Sequence, residues 1–117
     1  MLGFTIDSGQ GESKVTLIVD ERHINPHGSV HGAVMFALVD TAMGGATMSV
    51  LDEGNRCATV DIHTRFLAPC FSGTLTATAT VRRAGRRIVH LDGVIADQDG
   101  KEYLAASGVF AVIPAGG

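Results

Sequence analysis

Between His31 and Asp52 the chain runs through twenty residues, Gly32 to Leu51 (GAVMFALVDTAMGGATMSVL), whose only charge is Asp40. A run this long and continuous reads as a helix, and a helix apolar on every side must be covered all round. A lone carboxylate inside it carries a burial cost that an apolar residue avoids. The run is entered through a polar, glycine-bearing segment, Asn25-Pro26-His27-Gly28-Ser29-Val30-His31-Gly32. Backbone N–H groups at a helix start and a carboxylate two turns later are the parts of an acyl-transfer site.

Past the helix the pattern switches to strict alternation. Over 59–66, Val60, Ile62, Thr64 and Phe66 face one way and Thr59, Asp61, His63 and Arg65 the other. Leu75, Ala77, Ala79 and Val81 oppose three threonines, and the alternation continues through Val89–Ile95 and Leu104–Val112. These are strands with one apolar face. The connections at Pro69–Gly73, Arg83–Arg86 and Asp97–Gly100 suit hairpins, so the last four strands are expected to form an antiparallel meander. Two more strands, 3–7 and 14–20, precede the helix and are split by Ser8-Gly9-Gln10-Gly11. The expected class is α+β in ββαββββ order, one long central helix wrapped by a curved antiparallel sheet. One sheet covers one side of that helix. A second copy of the chain is the economical cover for the other, so a homo-oligomer is expected.

The 117 residues leave room for one core, and the whole of 1–117 reads as a single domain. A net charge of -3 argues against a nucleic-acid binder. The charge is uneven, however: Arg82, Arg83, Arg86 and Arg87, four of nine cations, fall within six residues. They read either as a local anion site or as a solvated hairpin turn. Cys57 and Cys70 show no metal-type grouping, which suits inert thiols in a reduced compartment. Met1-Leu2-Gly3-Phe4 lacks the basic start and apolar run of a signal peptide, so a cytoplasmic location is expected. The 32–51 stretch has the length of a membrane span, but Asp40 at its centre costs about 2.5–3.5 kcal/mol on insertion. No membrane partner is expected.

Gly32 and Asp40 are eight residues apart, about 12 Å along one helix. A carbonyl and its attacking group must meet within about 3–3.5 Å. One chain cannot easily bring both to one substrate atom, whereas two helices running antiparallel across a two-fold axis can. The dimer is then expected to be catalytic.

Asn25 to Asp40, N-P-H-G-S-V-H-G-A-V-M-F-A-L-V-D, resembles the active-site segment of hotdog-fold acyl-CoA thioesterases, in particular the PaaI-like branch of phenylacetate degradation. The run Thr59 to Pro69 is similar to that family's second strand, and Gly85-Arg86 to its hairpin near the nucleotide. The likeness covers about residues 13 to 113. It implies hydrolysis of an acyl-CoA thioester, with coenzyme A part of the substrate and no further cofactor. Asp40 is then nucleophile or general base, and the Gly32 N–H polarises the carbonyl. Asn25 orients the water or the substrate, His31 holds the entry loop and lines the site, and Thr59 brings a hydroxyl to Asp40. Arg83, Gly85, Arg86 and Arg87 would bind coenzyme A. The assembly implied is a homodimer with shared sites, doubled to a homotetramer.

Two positions depart from the family's pattern. Ala33 stands where a second glycine is common, and Gly44 where one lineage carries a hydroxyl a turn after the acid, which shifts weight to Thr59. Other readings of the same residues are weaker. His27 and His31 lie in a loop and not on one helix face, so no metal is expected. Ser29, His31 and Asp40 hold the letters of a triad without its nucleophile elbow. Met35, Met43 and Met48 read as core, and His63 and His90 as solvated. The alternatives to hydrolysis are a hotdog hydratase or dehydratase and a non-catalytic acyl-CoA-binding module.

Overall fold

The computed structural model describes residues 3–116. The elements run β1 (Thr5–Gly9), β2 (Glu12–Ile18), a 3₁₀ turn (Glu21–His23), α1 (Gly32–Met48), β3 (Arg56–Phe66), β4 (Thr74–Ala84), β5 (Ile88–Asp97) and β6 (Glu102–Ile113). This is the ββαββββ order expected from periodicity. All six strands join one antiparallel sheet in the spatial order β1-β2-β4-β5-β6-β3. The helix touches every strand. Six strands at about 4.8 Å spacing are wider than a helix of about 10–12 Å diameter, so the sheet must curl around it.

The four-strand meander is corrected to three. β4, β5 and β6 follow one another, but β3 pairs with β6 at the far edge. The reason lies in residues 67–73, which do not close a tight turn. The Leu67 N–H donates to Tyr103 O (2.9 Å), Cys70 O accepts from Val30 N–H (2.7 Å), and Gly73 O accepts from Val19 N–H (2.9 Å). The segment is tied to β6, to the helix entry and to the end of β2 in turn, and so crosses from one side of the sheet to the other.

Two boundaries move for local reasons. β1 and β2 extend to a two-residue turn at Gln10 (φ 54°) and Gly11 (φ 81°). Two left-handed residues give the turn whose twist matches antiparallel strands. The helix stops at Met48, short of Leu51, where the Ser49 hydroxyl accepts the Gly11 N–H and donates to Ala46 O, each at 2.7 Å.

The alternating residues of β4, β5 and β6 meet Val34, Met35, Leu38, Val39, Ala42, Met43 and Ala46 in one core. Met48, expected there, is 46% exposed at the helix end. Close approach sets Gly45. A Cβ at Gly45 would lie 2.5 Å from Ser8 Oγ and 2.7 Å from Ser13 Oγ, and Ser13 is buried. Gly45→Ala gains about 1 kcal/mol of helix propensity but overpacks this contact by about 1–3 kcal/mol. Its urea midpoint is expected to fall with the slope unchanged. A raised midpoint would mean that the serines swing away freely.

The opposite side of α1 is only partly covered. Ala33, Phe36, Ala37, Asp40, Thr41, Gly44 and Met48 form this stripe at helical spacing, and Phe36 is 40% exposed.

Candidate active site

The segment before α1 folds back on itself. Ile24 and Val30 form a β-bridge, the Asn25 N–H donates to Ser29 O (2.8 Å), and the Gly28 N–H donates to Asn25 O (3.0 Å). Gly28 closes this turn at φ 86°, a conformation that suits glycine. The Asn25 side chain is committed to the loop: Oδ1 accepts from the N–H groups of His27 (2.9 Å) and Ser29 (3.2 Å), and Nδ2 donates to Ser29 Oγ (3.0 Å). Within one chain Asn25 thus shapes the entry loop, whereas the family's pattern implies that it orients water or substrate.

His31 joins the loop to the helix. Its N–H donates to His23 O (2.8 Å), and its carbonyl accepts from Val34 N–H (3.0 Å) and Met35 N–H (3.2 Å). Its exposed side chain caps nothing. The Gly32 N–H therefore opens the helix without an acceptor among the described residues. Beside it is an open cavity of about 340 Å³, with Val30, Met35, Phe66, Leu67 and Pro69 in its wall.

Two turns on, half-buried Asp40 accepts a hydrogen bond at Oδ1 from the Thr59 hydroxyl (2.8 Å). Strict alternation puts Thr59 on the face away from Ile62. A β-bulge corrects it: Thr59 pairs with Phe110 and Asp61 with Val109, so Val60 is the extra residue. The extra residue returns Thr59 to the helix side, opposite buried Phe110, and leaves Val60 57% exposed. Cys57 lies on the same side. Burial, and then the Asp40 charge, push its thiol above the ordinary range, so it stays a neutral neighbour of the carboxylate.

The arginine turn sits at the end of the sheet where β3 begins. Val112, which pairs with Cys57, donates its N–H to Arg87 O (2.8 Å). Gly85 is required by the turn itself, because a Cβ there would lie 2.8 Å from Ile88 O. A second bulge lies between Val81 and Arg83, where Arg82 is the extra residue. Arg82 is paired with Asp92 (3.4 Å), and both are exposed. Arg83, Arg86 and Arg87 have no carboxylate partner among the described residues. Arg86 and Gly85 border a shallow hollow with Leu51, Asp52 and Asn55. Among the described residues no three His, Cys, Asp or Glu side chains converge as metal ligands, and no helix is long and apolar enough to cross a membrane.

Residues 27–104 match the family described as the thioesterase superfamily. The acyl-coenzyme A thioesterase PaaI of Escherichia coli K12 is 39% identical over 98 residues, 82% of this chain and 67% of that protein. A curated relative from Haemophilus influenzae is 38% identical over 74% of this chain and 64% of its own length. The chain thus spans about two thirds of the length of these relatives. The solved structure of E. coli PaaI, from the phenylacetic acid degradation operon, superposes with a TM-score of 0.89 at 35% identity, covering 97% of this chain and 82% of that one. Thioesterase HI1161 of H. influenzae superposes with a TM-score of 0.90 at 33% identity, covering 96% and 79%. The helix wrapped in a six-stranded sheet is the hotdog fold, and the chain belongs to the thioesterase superfamily.

Proposed function

We propose that this chain hydrolyses acyl-CoA thioesters to the free acid and coenzyme A, at sites shared between two copies. The observation that carries this reading is Asp40 on the partly covered stripe of α1, held by Thr59 of β3 and eight residues from an N–H without an acceptor among the described residues. The Thr59 hydroxyl holds Oδ1 and leaves Oδ2 for the chemistry. Asp40 either attacks the thioester carbon or takes a proton from the attacking water. The Gly32 N–H of the other copy stabilises the oxyanion, at about 2.7–4 kcal/mol for such a donor. The thiolate leaves without a strong acid, since thiols ionise near 8.5 in isolation. The apolar cavity beside Gly32 gives the acyl group a place out of water. The name of the E. coli relative supports the substrate class.

The second copy is also favoured by the sheet. β3 is eleven residues long, pairs on one edge only among the described residues, and exposes Val60 and Phe66. A long unpartnered edge with apolar side chains is a template for another strand. We take the assembly to be a dimer doubled to a tetramer.

A panel of acyl-CoAs incubated with a thiol reagent tests the activity. Release of free thiol is expected. An ultraviolet change without thiol would mark a hydratase, and neither signal with retained binding would mark a binding module.

Arg86 is the first choice for the phosphates of coenzyme A, with Arg83 and Arg87 beside it, because guanidinium forks suit phosphate oxygens. Arg86→Ala is expected to raise KM for acyl-CoA about tenfold, with kcat little changed. Hydrolysis of an N-acetylcysteamine thioester, which lacks the nucleotide, should be unaffected. Equal losses on both substrates would make the turn a support of the fold.

A further inference from the structure

His23 is wholly buried, whereas the four other histidines are exposed. Its Nδ1 accepts the Asp20 N–H at 2.9 Å, closing a capping box around the 3₁₀ turn. Only an unprotonated Nδ1 accepts. The carbonyl of the same residue accepts the His31 N–H at 2.8 Å, one residue before Gly32. Asp20 is itself held by the Arg22 guanidinium, with contacts of 2.9–3.2 Å. Ring and carbonyl of His23 thus join the turn after β2 to the residue that caps the start of the helix. A leucine would fill a similar volume without the cost of burying polar atoms. Among the contacts that the imidazole adds is the bond to Asp20.

We infer that His23 is a positioning residue for catalysis: it fixes the helix start, and with it the direction of the Gly32 N–H. The kinetic part rests on the hydrolytic reading above. A displacement of about 1 Å in such a group costs about a hundredfold in rate. The effect therefore falls on kcat, because the oxyanion forms only after substrate has bound.

The test compares His23→Leu with His23→Asn. The asparagine Oδ1 stands one bond from Cγ, as Nδ1 does, and can still accept the Asp20 N–H. Leucine cannot. In the leucine variant kcat is expected to fall about 10–100-fold with KM within about twofold. Exchange of the His31 amide should speed up about tenfold as its protection is lost. The asparagine variant should recover both readings to within about threefold. If the leucine variant does not fold, His23→Gln replaces it, since its amide is one bond too long for the same contact, and the same losses are expected. A folded leucine or glutamine variant with unchanged kcat would overturn the inference, as would equal losses in the asparagine variant. If the unsubstituted protein releases no coenzyme A, the hydrolytic reading fails by itself. The amide-exchange contrast between variants then still decides whether His23 anchors the helix start.

Discussion

Asp40→Asn is expected to bind acyl-CoA normally and to lose turnover by about a thousandfold or more. The amide keeps the shape of the carboxylate, and its Oδ1 can still accept the Thr59 hydroxyl that now lies 2.8 Å from Asp40. What it lacks is the basicity or nucleophilicity that either mechanism needs. No other ionisable group lies in α1 to take over. The melting temperature should stay level or rise, because the change removes a half-buried charge. Steady-state kinetics beside a thermal melt separates the two effects. Turnover within a few-fold of the unsubstituted protein would remove Asp40 from the chemistry.

The second large effect is expected at the other end of the helix. Gly32 is the first helical residue, a position that tolerates proline. His31 before it has φ -56° and ψ 135°, the extended conformation that a residue preceding proline adopts. Gly32→Pro therefore deletes the N–H without breaking an internal hydrogen bond. The loss expected in kcat is about 10²–10³-fold, that of a missing oxyanion donor. A Cβ at this position meets Phe66 Cζ at 3.4 Å, so Gly32→Ala is the control that keeps the donor and adds the contact. Near-normal activity in the alanine variant assigns the loss to the donor. Equal loss in both would assign it to crowding against Phe66.

Much of this was legible in the residues. The apolar run from Gly32, broken only by Asp40, marked the helix and the acid, and period-two alternation marked the inner faces of β4, β5 and β6. Alternation is blind to inserted residues, and the bulge at Val60 lies where it fails. The resemblance, not the pattern, put Thr59 beside Asp40, and the bulge reconciles the two. Pairing partners are likewise invisible to a local pattern. β3 reads as a hairpin neighbour of β4, yet the 67–73 connection carries the chain across the sheet. His23 carries no local signal of a capping box, because the residue three after a cap is ordinarily Glu or Gln. Here Asp20-x-x-His23 forms one through a ring nitrogen.

Gly32 and Asp40 remain about 12 Å apart along one helix, so the account stands or falls on a second chain supplying the missing half. Mixing tests this directly. Chains carrying Asp40→Asn and chains carrying Gly32→Pro are each expected to be nearly inactive as pure dimers. In a hybrid dimer, one site receives Asp40 from the second chain and Gly32 from the first, both intact, while the other site is doubly damaged. After random reassortment of equal amounts, about a quarter of the unsubstituted activity should return, since half the dimers are hybrids with one working site each. Absence of any recovery, with subunit exchange demonstrated in the same sample, would contradict the shared site.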